Sequence, residues 1–398
     1  MNRPLSLTEA EPVARALPRD LLDRITAGSA ARDLSRELPF DEVDALKAQR
    51  FGAIRLQGAA LAEVLGQTHA LAAADSNIAH IWRNHFMLNE RLIQHAPKAP
   101  ILRQLRDEVA NGALIGLAGT EAVRTQVGGG APGTPLVADG EGYRFTARKI
   151  YSTGSIFADR IVTYGELPDG TRVNILLPRD RDGITLVDDW DGMGQRLTGT
   201  GTTIFDNVRV EGAEVIRPET LHPQVSFLSS TIAQIVLTTV IAGIISAIAR
   251  DAALVLGARE SSFYFAPADR AREDPLLLAA LGERSAEAFA ADAIVLAAAV
   301  PLDRAASIIA AGGDALAATE AAAIAAAKAK ITVDALAQRS GAGLFDVAGA
   351  SATRRGLNLD RHWRNLRTVA SHNPASLKAM VVAAHELNGV PVPPQGFF

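Results

Sequence analysis

Apolar and polar positions along the 398-residue chain fall into three blocks. From about Pro12 to Asn111, apolar residues recur every three or four positions in Leu21–Ala27, Phe40–Arg50, Leu61–Ala74 and Ile78–His95, which predicts amphipathic helices with Asp41 and Ser76 as N-caps. From Ala113 the period changes. Leu114–Ala118, Tyr143–Thr146, Arg160–Tyr164, Val173–Leu177 and Thr202–Phe205 are short β-rich runs, separated by turn clusters such as Gly128–Gly133 and Leu167–Gly170. They predict an antiparallel barrel or sandwich of about a hundred residues. After Pro218 the chain reads as helix again, near 224–260, 274–310, 314–340 and 376–388. The expected domains are therefore 1–112 (helical), 113–218 (β) and 219–398 (a helical bundle), an α+β chain with no internal repeat.

Two apolar stretches change meaning with context. Thr231–Ala249 is uncharged and close to the roughly 20 residues that span a bilayer. Gln234, its threonines and Ser246 fit better with a helix buried on all sides of a soluble bundle. Ala305–Ala337 is low in complexity, but alanine is the best helix former and lets helices approach closely, so it is expected to be a core bundle helix.

The net charge of −4 supplies no basic field for nucleic acid or anionic lipid. With no cysteine there is no disulfide, thiolate metal site or Cys nucleophile, and Met1–Ala10 has no signal-type apolar core, so a cytoplasmic location is expected. No Gly-x-Gly-x-x-Gly or Gly-x-x-x-x-Gly-Lys-Ser/Thr motif occurs. His385-Glu386 lacks the second His of a zinc helix, and Gly349–Thr353 lacks the last Gly of a nucleophile elbow. His80 and His85 are five apart, which is wrong for one helix face, so no metal site is expected.

Taken together, several segments resemble the acyl-CoA dehydrogenase superfamily, and within it the oxygen-activating flavin monooxygenase branch typified by dibenzothiophene monooxygenases and sulfur-acquisition oxidoreductases. They are Ala74–His80 with Arg83–Phe86, Gly116–Ala122, Lys149–Ser155, Trp190–Thr202 with Phe205–Val210, Gly349–Ser351, and Arg364–Arg367 followed by His372-Asn373-Pro374. Taken singly they are unremarkable: His80 reads as a core histidine, Tyr151–Gly154 as a β-turn, Trp190 as a core aromatic, and Arg361, Arg364 and Arg367 as a solvated helix face. Their common order carries the resemblance.

The resemblance implies an N-terminal helical domain, a middle antiparallel β-domain and a C-terminal four-helix bundle. It implies FMN as cofactor, with FAD possible, reduced by a separate NAD(P)H-dependent reductase and reacting with O₂ as a C4a-hydroperoxide that oxygenates a small organosulfur, aromatic or other heteroatom substrate. It assigns His80, Thr153 and His372 to catalysis. Asn84, Leu117, Ala118, Thr120, Tyr151, Ser152, Thr153, Ala350, Ser351 and His372 would touch the flavin, and the resemblance implies a homotetramer. Where dehydrogenases place a glutamate base this chain has Asn373, and an amide is not a base at neutral pH. A dehydrogenase or oxidase with a displaced base is the alternative, and a non-catalytic flavin-fold protein a third. Two segments depart from the branch. Arg55–Leu61 replaces its Pro-x-x-x-Gly-Gly pocket wall, and Ser261–Pro267 replaces an arginine-bearing stretch that reaches the flavin phosphate, leaving Arg270 or Arg272 as substitutes.

Overall fold

A computed structural model describes residues 16–94, 99–121, 134–394 and 398. The expected helix start at Pro12, the N-terminal decapeptide, the helix end at His95, Ala122 and the Gly128–Gly133 cluster lie outside the described residues.

The N-terminal part contains α1 (Arg19–Ser35), α2 (Phe40–Ala48), α3 (Leu61–Ala74), α4 (Ser76–Ile81), α5 (Arg83–Leu88), a π turn at Asn89–Gln94 and α6 (Pro100–Ala110). The two expected N-caps are corrected. Pro39 and not Asp41 precedes α2, so Asp41 sits inside the first turn, where its charge faces the positive end of the helix dipole. Asp75 and not Ser76 caps α4, because its carboxylate accepts from Asn77 N at 3.0 Å.

The middle part contains β1 (Ile115–Ala118), β2 (Thr120–Glu121), β3 (Leu136–Asp139), β4 (Gly142–Ile150), β5 (Arg160–Glu166), β6 (Arg172–Pro178), β7 (Ile184–Val187), β8 (Thr202–Val210) and β9 (Val215–Ile216). One sheet runs β1-β5-β6-β9 and the other β2-β4-β8-β7, with β3 on β4. Ile161, Ile175 and Leu177 of the first sheet share a core with Phe145, Phe205 and Val208 of the second, so the pair is a sandwich. The expectation of a wholly antiparallel domain is corrected at one place, since β1 pairs with β5 in parallel. The chain then switches sheets at Gly119, and Thr120 of β2 pairs with Ile150 of β4. This crossing sets the end of β1 beside the turn that leaves β4.

The C-terminal part contains α7 (Pro223–Gly257), α8 (Pro275–Ala310), α9 (Leu316–Ala348), α10 (Asp360–Ala370) and α11 (Ala375–Asn388). The apolar window of α7 is 89% buried inside the chain, packed by α3, α8, α9 and α10. Its internal hydroxyls are satisfied locally, Thr231, Thr238 and Thr239 each bonding the carbonyl four residues back. Gly243 is required where α3 crosses, because a Cβ there would stand 2.5 Å from Ala72 Cβ and 2.8 Å from His69 O. The alanine-rich Ala305–Ala337 stretch spans the end of α8 and most of α9, the two helices expected near 274–310 and 314–340, with Gly312 at a φ of 74° between them. Buried alanines let α7, α8 and α9 pack closely, but α8 is two-faced and leaves Phe289, Leu296 and Val300 exposed.

Candidate functional site

The site is assembled where α4 and α5, the turn after β4, the loop before β8 and the segment after α10 meet. The β4 turn comes first. Tyr151 has a positive φ of 55° and Gly154 one of 80°. A Cβ on Gly154 would lie 2.7 Å from Ile81 O, so only glycine lets this turn seat on the end of α4. Asn84 Nδ2 donates to Thr153 O at 3.3 Å, joining α5 to the same turn. Ser152 N donates to Gly201 O and Gly154 N to Thr198 O, each at 3.0 Å, which fastens the turn to the loop before β8.

A chain of hydroxyls runs through that junction. Thr198 Oγ1 donates to Gln195 O at 2.9 Å, Thr198 and Thr200 are joined at 2.6 Å, and Thr200 and Thr153 at 2.8 Å. A hydroxyl has one proton to give. Since Thr198 spends its own on a carbonyl, Thr200 donates to Thr198 and Thr153 donates to Thr200. Thr153 therefore turns lone pairs, not a proton, toward anything that approaches from outside the relay.

His80 is buried, and its Nδ1 lies 2.9 Å from Gln195 Oε1. Gln195 Nε2 donates to Ser76 Oγ at 3.0 Å, which leaves the amide oxygen for the imidazole. Burial first, and then the Arg83 charge, lower the His80 pKa to about 4, so the ring is neutral at pH 7. Nδ1 carries the proton and Nε2 a free lone pair. His372 pairs through Nδ1 with Asn373 Oδ1, which fixes the same tautomer. Solvent reaches His372, while surrounding protein atoms, Arg83, His80 and Lys330 all push its pKa down. The arrangement is two neutral imidazoles able to accept a proton, and a threonine oriented as an acceptor whose hydroxyl relay begins at Gln195, the partner of His80.

Other features place the remaining expected residues. Leu117 and Ala118 lie on β1, with Ala118 O held by Thr163 Oγ1 at 2.7 Å, and Thr120 lies next to the turn through its pairing with Ile150. Tyr151 is exposed and meets Trp190 edge-on with ring centres 6.1 Å apart, so Trp190 is a half-buried wall of the cleft. Ala350 and Ser351 are exposed in a short 3₁₀ turn at Ala350–Thr353, and among the described residues no hydrogen bond ties them to the β4 turn of the same chain. Arg259 reaches that turn, its Nη1 lying 3.2 Å from where a Gly349 Cβ would stand. Arg270 and Arg272 are more than half exposed and lie near Glu273.

The view of Arg361 and Arg364 as a solvated face is corrected. Arg361 Nη2 meets Asp251 Oδ2 at 2.9 Å in the interior, and Arg364 Nη2 meets Asp33 Oδ2 at 2.7 Å, because α10 turns these residues toward α7 and α1. His85 differs from His80. It is buried, with Nε2 on Gly52 O at 2.9 Å and Nδ1 accepting from Ile115 N at 3.0 Å, a histidine fully used by the core. Arg55 grips Glu90 with two bonds, at 2.9 and 3.1 Å, and so anchors the segment that departs from the branch pattern.

Sequence reasoning missed Gln195 and Arg83. Gln195 sits in a loop at a positive φ of 53°, a conformation uncommon for glutamine that the surrounding bonds impose. A positive φ for a non-glycine residue leaves no mark in the sequence. Arg83 was noted only as part of a helical motif.

A flavin fits this cleft by its donor set. Ser152 Oγ and Ser155 Oγ are buried without a hydrogen-bond partner, and an orphaned hydroxyl on an otherwise satisfied turn is suited to the polar edge of a flavin ring.

Residues 235–376 match the family model described as "Acyl-CoA dehydrogenase, C-terminal domain". The chain is 29% identical to a dibenzothiophene monooxygenase of Rhodococcus qingshengii, an alignment that covers 98% of this chain and 97% of that one. It is 28% identical to a "Probable FMNH2-dependent monooxygenase" of Pseudomonas putida, covering 98% of each. The solved methanesulfinate monooxygenase of Pseudomonas fluorescens superposes with a TM-score of 0.84 at 27% identity, over 98% of this chain and all of that one. Helical, β-sandwich and helical-bundle parts in this order, with similarity along the whole length, give the chain an acyl-CoA dehydrogenase-like fold whose residues 235–376 match that family's C-terminal domain, and make it similar to flavin-dependent monooxygenases.

Proposed function

We propose that the protein is a monooxygenase that receives reduced FMN from a separate NAD(P)H-dependent flavin reductase and inserts one oxygen atom of O₂ into a small organosulfur, aromatic or other heteroatom substrate. Bound reduced FMN supplies the electrons that activate O₂. The observation that carries the reading is the pairing of two neutral imidazoles, His80 and His372, with an amide, Asn373, where a dehydrogenase needs a carboxylate.

The residues would act as follows. Asn84 and the bonds to Gly201 and Thr198 hold the β4 turn. Tyr151, Ser152, Thr153, Leu117, Ala118 and Thr120 would line the flavin ring, to which the Thr153 hydroxyl would offer an acceptor. His80 Nε2 and His372 Nε2 accept and return the proton that oxygen transfer moves. Trp190 and the buried face of α4 and α5 keep water from the reacting oxygen.

Phosphate binding would fall to Arg259 with the backbone around Ala350 and Ser351, on the side of a flavin held between copies of the chain. This favours a homotetramer, which would also cover Phe289, Leu296 and Val300 on α8. Domain limits of 1–112, 113–218 and 219–398 and a cytoplasmic setting alongside the reductase complete the proposal. The relatives named for dibenzothiophene and methanesulfinate both concern sulfur compounds, which supports an organosulfur substrate.

The test is purified protein with FMN, NADH and an added flavin reductase, offered thioethers, sulfinates and phenols under air. Substrate-dependent product carrying one atom of labelled O₂, lost when the reductase is left out, is expected. Tightly bound FAD that bleaches on adding an acyl-CoA would overturn the reading in favour of a dehydrogenase.

A further inference from the structure

Among the described residues four arginines are buried, namely Arg32, Arg83, Arg284 and Arg361. Three have carboxylate partners: Arg32 meets Glu42 at 2.7 Å and Asp75 at 3.0 Å, Arg284 meets Glu287 at 2.8 Å, and Arg361 meets Asp251 at 2.9 Å. Arg83 is 7% exposed and has no carboxylate partner among the described residues. Its Nε donates to Ala233 O at 3.1 Å and its Nη1 to Asn84 Oδ1 at a long 3.5 Å, which leaves most of a five-donor guanidinium without strong acceptors.

An isolated buried charge is unfavourable unless something pairs with it. The environment records the strain, since burial lowers the Arg83 pKa to about 10. One residue along α7 from Ala233, Gln234 is 4% exposed, and neither atom of its amide has a hydrogen-bond partner. Arg83 opens α5 three residues after His80 of α4 and acts electrostatically on both His80 and His372. Both imidazoles are neutral, so the cleft carries an uncompensated positive charge.

We propose that Arg83 is the anchor for an anionic substrate, a small organic molecule whose sulfinate, sulfonate or carboxylate oxygens pair with its guanidinium while the reacting atom lies near His80 and His372. The proposal rests on the monooxygenase reading above for the identity of the cleft. A guanidinium pairs with such an oxyanion through two parallel bonds, which fixes orientation as well as affinity.

Binding is measured by calorimetry on the purified protein, without flavin, using benzenesulfinate and its neutral near-isostere methyl phenyl sulfoxide. The wild type should bind the sulfinate about ten- to a hundredfold more tightly, the span expected of a hydrogen-bonded charge pair. Arg83→Met should abolish the preference and Arg83→Lys should keep part of it, with circular dichroism reporting that each variant is folded. Equal binding of the two probes by the wild type overturns the proposal whatever the variants do. So does a preference that survives Arg83→Met, or, in a separate anaerobic titration, an Arg83→Met loss of affinity confined to reduced FMN, which would assign the charge to the flavin. A sulfinate that binds through Arg83 but gains no oxygen in the reductase-coupled assay sinks the monooxygenase reading and leaves the anion site standing. Oxygenation of neutral thioethers with no preference for anions does the reverse.

Discussion

Gln195 Oε1 sits 2.9 Å from His80 Nδ1, and a carboxamide oxygen can only accept, so the proton of the His80 ring is on Nδ1 and its free lone pair is on Nε2. The contact reaches further. Gln195 N donates to Asn365 Oδ1 at 2.6 Å, and Gln195 O takes the proton of Thr198 at the start of the threonine relay. One residue thus sets both the tautomer of His80 and the direction of the Thr153 hydroxyl, and α10 holds that residue in place.

Replacing Gln195 should alter the protonation of His80 and not only its position. In Gln195→Glu a carboxylate would face Nδ1 and favour the imidazolium, raising the His80 pKa from about 4 toward neutrality. A proton acceptor would become a donor near pH 7. The pH profile of kcat/KM should move upward by about one unit or more, and Gln195→Leu should lower kcat about tenfold or more with FMN affinity little changed. An unshifted profile in Gln195→Glu would show that the contact plays no part in protonation.

The threonine relay makes a separate prediction about flavin. A reduced flavin carries a proton on N5 and an oxidised one does not, so an acceptor at Thr153 favours the reduced form. In Thr200→Val the Thr153 hydroxyl loses the acceptor that now lies 2.8 Å away and becomes free to donate outward. The ratio of oxidised to reduced FMN dissociation constants should fall about two- to tenfold, the worth of one hydrogen bond. Anaerobic titration against fluorescence quenching reads the ratio directly, as does the potential of bound FMN. A ratio equal to that of the wild type would refute the orientation of the relay.

Stability should depend on pH through histidines the core keeps neutral. Burial lowers the pKa values of His80, His85 and His362 to about 4 from 6.5. The unfolded chain takes up these protons as pH falls below about 6.5 and the folded chain does not until about pH 4, so stability is full above that window and is lost on acidification through it. With up to three protons involved, the slope reaches about 4 kcal/mol per pH unit. Asp251 adds to the loss below about pH 4. Burial alone would raise its pKa, but His362, Arg250 and Arg361 hold it well below the usual carboxylate range. Urea midpoints from pH 7 to 4.5 should fall steeply, and His362→Asn should remove about one third of the slope between pH 6.5 and 4.5. A flat profile would contradict the neutral, buried state of these rings.

What the sequence disclosed follows from how each feature is encoded. The apolar run at Thr231–Ala249 announced a buried helix, since periodicity and composition are local properties and α7 satisfies its own hydroxyls. The parallel pairing of β1 with β5 was hidden, because a five-residue apolar run such as Leu114–Ala118 says nothing about the direction of its neighbour. Ion pairing was hidden for the same reason. Arg361 finds Asp251 across 110 positions, and nothing beside Arg83 in the chain shows that no carboxylate comes back to it. His80 and His372 were legible through resemblance, but the neutral state and shared tautomer that give them a chemical role come from Gln195, Asn373 and burial, which only the folded chain brings together.

The two imidazoles make the sharpest prediction about turnover. Each is expected to exchange a proton with the reacting oxygen through Nε2, so His80→Ala and His372→Ala should each lower oxygenation by about 10²–10⁴-fold. FMN binding should change far less, because the contacts that hold the β4 turn come from Asn84, Gly201 and Thr198 and remain intact. Hydrogen peroxide released per product formed should rise, since oxygen activated without a proton partner is lost to water. Asn373→Ala should be milder, about tenfold, because it frees the His372 tautomer without removing the ring. The two histidines differ in surroundings, His80 enclosed and His372 open to solvent, so added imidazole should rescue His372→Ala and not His80→Ala. Oxygenation and peroxide yield measured side by side decide the matter. Parent-level oxygenation in both variants would remove these residues from the chemistry, and rescue of the enclosed site alone would reverse their assigned exposure.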